Sequence, residues 1–322
     1  MIDELYIARR FSRLSEVDET EFSDMKAAAI HFQKEHNQIY AAFDGYVHLP
    51  VDAFKHAEVC SFDVNEATHV FRSSGTGSSL RSQHFVKDIS LYEHAVKAAF
   101  TRAFGEGPFV IVGHLPAYQQ DSSLVYMVDF LARSVGQPGS GLFLNDHAFL
   151  DAAVAQCEDS GCKLILFGAA FGLMDLIDVV QIVLPKNALV IETGGMKTHR
   201  REISRSDLHT SLAQGFSIPV AQIRSEYGMC ELFSQFYTNE EGLFVAPPWT
   251  QVSVVDPENP SITLPQGEVG VLAILDFANI YSQCALLTQD LGRDHGTGFE
   301  VLGRMSLAEL RGCNYLFERT QN

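Results

Sequence analysis

Three segments of this 322-residue chain gather residue types suited to holding an anion, a divalent cation and the hydroxyls of a sugar. The first is FRSSGTGSSLRSQHFV, residues 71–86, where Ser73, Ser74, Gly75, Thr76, Gly77, Ser78 and Ser79 run together. Small residues let successive backbone N–H groups turn inward toward an anion, and hydroxyls add donors. Arg81 and His84 could add positive charge. The same composition also suits a plain flexible turn, and it is neither G-x-x-x-x-G-K-[ST] nor G-x-G-x-x-G. The second segment is RSEYGMCELFSQF, residues 224–236, just beyond an expected strand end. Ligand crevices in open α/β sheets lie there. Glu231 follows Tyr227 by four residues, with Gly228 giving the turn. Its carboxylate could hold Mg²⁺ against phosphate oxygens, or it could be a solvated acid at a helix start. The third is LLTQDLGR, residues 286–293, followed by VLGRMSLAELRGCNYLFE at 301–318. Asp290 follows a short apolar strand and could accept both hydroxyls of a ribose. It could equally be a turn aspartate.

Between about residues 85 and 225 the chain alternates short apolar runs with helically spaced stretches. The runs are FVIVG (109–113), GLFLN (141–145), KLILFG (163–168), ALVIET (188–193) and a weaker VAQIR (220–224). Such runs suit strands buried on both faces. Alternation with helices predicts crossover units and a mostly parallel sheet. Ser90 and Glu93 give a capping signal for a helix ahead of the first run. Asp121 or Ser122 marks the start of the next. The first 60 residues read as a helical cover. Beyond about 240, PPWTQVSVVDPENPSITLPQGEVGVLAILDF is rich in prolines, acidic turns and alternating strands. The expected fold class is therefore α/β, mostly parallel sheets flanked by helices, with a small antiparallel β subdomain. The boundary falls between 1–240 and 241–322.

Composition sets outer limits. Lys plus Arg total 23 and Asp plus Glu total 40, a net charge of −17. That balance argues against a binder of nucleic acid polymers, which needs cations to displace counterions. No apolar run approaches the ~18–20 residues that span a bilayer. The first 30 residues mix both charge signs and lack a secretory or transit pattern. The six cysteines are scattered, without a C-x-x-C pair, so a reduced, cytoplasmic chain is expected. No histidine spacing suggests a protein-caged zinc. The basic cluster Lys197, His199, Arg200, Arg201 and Arg205 reads as a solvated helix start or a docking patch.

Taken in order, these segments resemble the adenylate-forming superfamily of acyl-CoA synthetases, luciferases and adenylation domains. Residues 73–81, SSGTGSSLR, resemble its T-S-G-T-T-G-x-P-K phosphate loop. Tyr227, Gly228, Met229, Cys230 and Glu231 resemble its Y-G-x-T-E motif. Thr288, Gln289 and Asp290, with Gly303 and Arg304 later, resemble its T-G-D and G-R. A narrower likeness, to the acyl-protein synthetase LuxE, is carried by SSLVYM (122–127), TGGMK (193–197), EYGMCELFSQ (226–235) and GRMSLAELRGC (303–313).

The resemblance implies an AMP-forming acid–thiol ligase using ATP and Mg²⁺. Ser73, Ser74, Gly75, Thr76 and nearby backbone would cradle the ATP phosphates, with Arg81 where the family has lysine. Gly194, Gly195 and Met196 would line the adenine, with Tyr227 stacking there beside Gly228. Glu231 would hold Mg²⁺, Asp290 would bind the ribose hydroxyls, and Arg304 would reach the ribose or the acyl phosphate. In the narrower family a cysteine in an R-G-C context accepts the acyl group, and Arg311-Gly312-Cys313 matches it. The implied substrate is a carboxylic, chiefly a fatty, acid, and the implied partner an acyl reductase or acyl carrier. Three departures stand out: the loop glycine is displaced, Cys230 replaces threonine, and the chain ends where fuller members begin a lysine-bearing lid domain. Two other expectations stay open. One is adenylation of an aromatic or small acid without self-acylation. The other is a non-catalytic nucleotide-binding relative.

Overall fold

In a computed structural model the chain is described over residues 3–11, 18–43, 47–74, 80–194 and 203–305. It divides into two compact units, one of Met1–Ala95, Met229–Ser234 and Leu243–Asn322, the other of Val96–Gly228 and Gln235–Gly242.

The first unit opens with helices α1 (Glu4–Phe11), α2 (Glu19–His36) and α3 (Gln38–Ala42). Asp18 caps α2 by accepting from the Glu21 N–H at 2.8 Å. Met25, Ala29 and Gln33, four apart, form its buried stripe, the spacing that puts side chains on one helix face. Asn37 ends α2 and starts α3, its side chain accepting from Ile39 and Tyr40 N–H. Then come β1 (Leu49–Pro50), the short helix α4 (Ala53–His56), and an antiparallel hairpin of β2 (His69–Arg72) and β3 (Gln83–Val86). Helix α5 (Ile89–Phe104) follows. Its first turn is held by Asp88, which accepts from the Ser90 N–H at 3.0 Å and the Ser90 hydroxyl at 2.7 Å. The cap expected at Ser90 therefore sits two residues earlier, because the aspartate carboxylate is the stronger acceptor.

The second unit is the parallel body. Its strands are β4 (Phe109–His114), β5 (Gly141–Phe143), β6 (Lys163–Ala169), β7 (Leu189–Thr193), β8 (Ile223–Tyr227) and β9 (Phe236–Thr238). They lie in the order β9-β8-β7-β6-β4-β5. Every neighbouring pair is parallel except β8–β9. Helices α6 (Ser123–Ser134), α7 (His147–Ser160), α8 (Ala170–Val179) and α9 (Arg205–Phe216) connect them. Ser122 stands at the α6 N-cap. Ser204 caps α9 through the Asp207 N–H at 3.1 Å. Gly161 ends α7 at φ +71°, a left-handed conformation that glycine takes without a Cβ penalty. The core between strands and helices includes Val110, Val112, Leu164, Leu166, Leu173, Val190, Leu212 and Phe216, all buried. Each such aliphatic side chain contributes about 1.5–3 kcal/mol.

Back in the first unit, β10 (Phe244–Val245), β11 (Thr250–Val255), β12 (Val269–Asp276), β13 (Ala285–Asp294) and β14 (Phe299–Arg304) form an antiparallel sheet ordered β11-β12-β13-β14-β10. Strand β1 joins it in parallel, Leu49 opposite Leu286. The protein is thus α/β with a mostly parallel body and an antiparallel strand region. Among the described residues, no helix is long and apolar enough to cross a membrane.

Candidate functional site

In the first unit the Gly/Ser loop grows out of the β2–β3 hairpin. Its base is closed twice: the Ser73 N–H donates to the Ser82 carbonyl at 3.1 Å, and the Ser82 N–H to Ser73 Oγ at 2.9 Å. Arg81 Nε donates to the Ser73 carbonyl at 2.6 Å and Nη2 to the Arg72 carbonyl at 3.4 Å. The guanidinium therefore stiffens the stem of the loop. Ser74 is exposed just beyond. Gly75 and Thr76, expected at the tip, lie outside the described residues, as does Gly77. A strand rather than a helix follows the loop directly, and it brings His84 inward.

His84 does not supply positive charge, as the sequence allowed. Its ring is buried, with Nδ1 2.8 Å from the Cys230 carbonyl and Nε2 2.8 Å from Ser282 Oγ. A carbonyl only accepts, so Nδ1 carries the proton and Nε2 accepts from the serine hydroxyl. Burial pulls the pKa down to about 4, although the Cys230 carbonyl opposes it. The ring is neutral, and it stacks on Phe233 at 4.6 Å.

That contact begins a buried polar clamp on residues 230–234. Asn279 Nδ2 donates to the Glu231 carbonyl at 2.8 Å, and its Oδ1 accepts from the Phe233 N–H at 3.0 Å. Asp276 accepts from the Ser234 N–H at 2.9 Å and the Ser234 hydroxyl at 2.8 Å. Trp249 Nε1 donates to the same serine oxygen at 2.8 Å. Burial raises the Asp276 carboxyl to about 6, with the Ser234 bonds pulling the other way. The backbone around Glu231 is therefore fixed from several sides.

The Glu231 side chain is buried, not solvated, and no helix starts there. Desolvation raises its pKa, while Ser82, Arg304 and Lys55 lower it. The Ser82 hydroxyl lies alongside, itself buried and with no partner at ordinary hydrogen-bond geometry. A buried carboxyl beside a buried hydroxyl oxygen suits a hard cation that takes oxygen ligands. Among the described residues no group of three or more His, Cys, Asp or Glu could hold a metal. One carboxylate with substrate oxygens is nonetheless how Mg²⁺ is commonly bound.

Asp290 is a strand residue, not a turn residue. It stands opposite Arg304 across β13–β14, with Arg304 Nε 3.5 Å from Asp290 Oδ1. Its own N–H donates to Thr288 Oγ1 at 3.1 Å. Ser73, Arg81 and Ser82 are joined by hydrogen bonds, Asp290 and Arg304 by an ion pair, and both sets lie with Glu231 in one unit.

The second unit carries Gly194, Tyr227 and Gly228 at the carboxyl ends of β7 and β8. Gly194 has φ +79°, and the Tyr118 hydroxyl lies 3.2 Å from where a Cβ would sit. At Gly228 a Cβ would come within 2.5 Å of Glu226 Oε1, so a side chain there would displace the carboxyl. Glu226 is buried and bonded by the Thr193 hydroxyl. Burial raises its pKa to about 7 and Glu192 adds to the rise, while the Thr193 bond opposes it. On the other face of the strands Glu192 accepts from the Ser225 hydroxyl and faces His209 Nε2 at 3.3 Å. Gly195 and Met196, and Cys313 with Arg311 and Gly312, lie outside the described residues.

Reading by sequence missed Glu226, Glu192, Ser82, Asp276 and Asn279. The two glutamates left a faint signal, since a carboxylate at the end of an otherwise apolar strand must find a partner. The others leave none, because their partners are distant in sequence.

The family model described as "Acyl-protein synthetase, LuxE" matches residues 148–320. A long-chain-fatty-acid–luciferin-component ligase of Vibrio harveyi is 27% identical over 137 residues, 40% of this chain and 36% of that one. Its counterpart from Aliivibrio fischeri is 26% identical over 135 residues, covering 38% and 35%. The matched stretch thus spans about a third of these relatives. Among solved structures, ATP-bound MatB from Rhodopseudomonas palustris superposes with a TM-score of 0.54 at 16% identity, over 76% of this chain and 49% of that one. A 2-hydroxyisobutyryl-CoA ligase in complex with 2-HIB-AMP gives 0.59 at 11% identity, over 94% and 68%. At these identities the likeness is one of fold.

Proposed function

The chain belongs to the LuxE acyl-protein synthetase family, and from that membership we propose that it activates a fatty acid with ATP and then carries the acyl group on its own cysteine. The observation that carries the reading is that the loop stem closed by Ser73 and Ser82, the buried Glu231 and the Asp290–Arg304 pair all fall within one unit.

In the first half-reaction a carboxylate oxygen attacks the α-phosphorus of ATP. The bond to the bridging oxygen breaks, pyrophosphate leaves, and acyl-AMP forms. Catalysis of such a step is positioning and charge stabilisation rather than covalent chemistry. Ser73, Ser74, Gly75 and Thr76 cradle phosphate oxygens, on a stem that Arg81 holds. Glu231, with the Ser82 hydroxyl beside it, would hold Mg²⁺, which when bound neutralises phosphate charge. Bound there, a cation would also favour the ionised carboxylate over the protonated form that burial promotes. Asp290 accepts the ribose hydroxyls, and Arg304 reaches the ribose or acyl phosphate.

In the second half-reaction the Cys313 thiolate attacks the acyl-AMP carbonyl. The carbonyl–phosphate oxygen bond breaks, AMP leaves with the electron pair, and a thioester remains. That thioester is the form in which a partner reductase would receive the acyl group. Support for the acid and the partner comes from relatives named as long-chain-fatty-acid–luciferin-component ligases.

The test is acid-stimulated ATP–pyrophosphate exchange across a panel of fatty, aromatic and short acids, followed by labelling with radioactive acid. Exchange stimulated best by long-chain acids, with hydroxylamine-labile label on the protein, is expected. Exchange with aromatic acids and no label would replace this reading with simple adenylation, and nucleotide binding without exchange would replace it with a non-catalytic role.

A further inference from the structure

The six cysteines are scattered in sequence, and the proposed acyl chemistry uses only Cys313. Two of the others are brought together by the way α7 ends. In the run Cys-Glu-Asp-Ser-Gly-Cys, residues 157–162, Ser160 is the last residue of the helix and Gly161 follows at φ +71°. The Gly161 N–H donates to the Cys157 carbonyl at 2.9 Å. A helix that stops on a left-handed glycine folds the next residue back over the last turn, and an apolar contact between those two positions commonly accompanies the stop. Here the two positions are Cys157 and Cys162. Both are buried, and their Sγ atoms lie 2.8 Å apart.

Each sulfur is positioned by its own element. The Cys162 carbonyl accepts from Asn187 Nδ2 at 3.3 Å, and the following N–H, of Lys163, donates to the Pro108 carbonyl at 3.1 Å as β6 begins. Cys157 packs with Leu150 and Ala153 of α7 into the core of the second unit. A disulfide closes at ~2.05 Å, less than an ångström below the present separation. Small aliphatic residues would fill the same contact; two thiols at this range add a covalent option. The residues between them, 158–161, are all exposed. Helix ends open locally at low cost, so one turn can lift and uncover both sulfurs while β6 stays paired. Until it does, the pair is protected: burial, with Cys162 alongside, pushes the Cys157 thiol up to about 12.

We propose that Cys157 and Cys162 form a reversible disulfide, a redox modification site distinct from the acyl-accepting cysteine, which ties the end of α7 to the start of β6. With hydrogen peroxide as oxidant, one thiolate attacks a peroxide oxygen and the O–O bond breaks. Hydroxide leaves, takes up the thiol proton as water, and a sulfenic acid remains. The second sulfur attacks the first, the S–O bond breaks, a second water leaves and the S–S bond forms. Two thiols have lost two electrons and two protons, and one peroxide has become two waters. A dithiol reductant returns both thiols by exchange.

The experiment treats the folded full chain with an equimolar amount of hydrogen peroxide, then denatures and alkylates it. Intact mass and peptide maps are read before and after dithiothreitol. Cleavage beside Glu158 and Asp159 puts the two cysteines on separate peptides. The expected result is alkylation at four of the six cysteines, the two peptides joined, and a bridged pair lighter by two hydrogens, about 2 Da. Dithiothreitol should restore alkylation at all six. C60A should still form the bridge, whereas C157A and C162A should not. Both cysteines still alkylated after the peroxide is consumed would overturn the proposal. So would single oxidation of either one to a sulfinic acid, or a bridge from either to a third cysteine. A bridge that dithiothreitol leaves intact would overturn its reversibility. The wild-type map decides by itself if a buried alanine variant fails to fold, which denaturant midpoints report.

Discussion

Asp290 and Arg304 face one another across two antiparallel strands, yet Arg304 Nε stays 3.5 Å from Asp290 Oδ1. The pair is uneven: the aspartate side chain is 13% exposed and the arginine 56%. A register shift at Leu291/Gly292 and a glycine at φ +121° just before Arg304 loosen the ladder at that point. A screened contact of this kind contributes little to stability. It leaves the Arg304 head largely exposed to solvent.

If Asp290 accepts ribose hydroxyls, its removal should cost nucleotide affinity and specificity together. Hydrogen bonds to a charged acceptor contribute ~1.5–3 kcal/mol, so D290A should weaken ATP binding by about tenfold or more. The sharper measurement compares ATP with 2′,3′-dideoxy-ATP. Wild type should discriminate between them, and D290A should not. Equal discrimination by both proteins would remove Asp290 from ribose binding.

Glu226 gives a pH signature of the fold. Its carboxyl is pushed from an ordinary 4.5 to about 7 by burial. The folded state thus holds this proton more tightly than the unfolded chain. Its contribution to stability is complete below about pH 4.5 and is lost as pH rises through about 7. In E226Q the amide keeps the Thr193 contact and cannot titrate. Between those limits wild type should lose up to about 3 kcal/mol relative to E226Q. Urea unfolding of both proteins across a pH series reads this directly. Parallel profiles would mean that Glu226 is solvated or neutralised in another way.

The polar clamp on residues 230–234 predicts a large effect at His84. H84F retains a ring to stack on Phe233 and to meet Phe54, but it takes the ring donor from the Cys230 carbonyl and leaves the Ser282 hydroxyl to the Asn279 carbonyl at 3.4 Å. A buried group that loses its partner costs about 1–3 kcal/mol, so H84F should lose about that much in equilibrium unfolding. A loss under ~1 kcal/mol would show that water replaces the ring nitrogens.

The strands at 109–114, 163–169 and 189–193 were legible because each is an apolar run buried on both faces. Strand β8 starts later than VAQIR suggested, since Val220–Gln222 form a 3₁₀ turn after Pro219. Strand β3 was hidden by its own polar residues: Gln83 and His84 break the apolar alternation, although His84 points inward. Within the candidate site, motif order singled out Ser73, Glu231, Asp290 and Arg304. It could not reveal Asp276 or Asn279, which bond to segments more than 40 residues earlier. A buried polar residue is chosen by its tertiary partner, and that partner carries no local pattern.

The cysteines set up the last prediction. Cys60, Cys157, Cys162, Cys230 and Cys284 are all buried. Burial raises the thiol pKa of Cys60, of Cys157 to about 12, and of Cys284 strongly. Cys157 and Cys162 also face one another, with Sγ atoms 2.8 Å apart. A nucleophilic cysteine needs thiolate character and access to its electrophile, and buried thiols with raised pKa values offer neither. Cys313, preceded by Arg311 and Gly312, is outside the described residues and carries the proposed acyl group. C313S should therefore keep acid-stimulated ATP–pyrophosphate exchange within about twofold of wild type and lose the hydroxylamine-labile acyl label. C60S should keep both. Label persisting in C313S, traced by mass spectrometry of its peptides to another cysteine, would move the acceptor; loss of exchange along with label would place Cys313 in the first half-reaction instead.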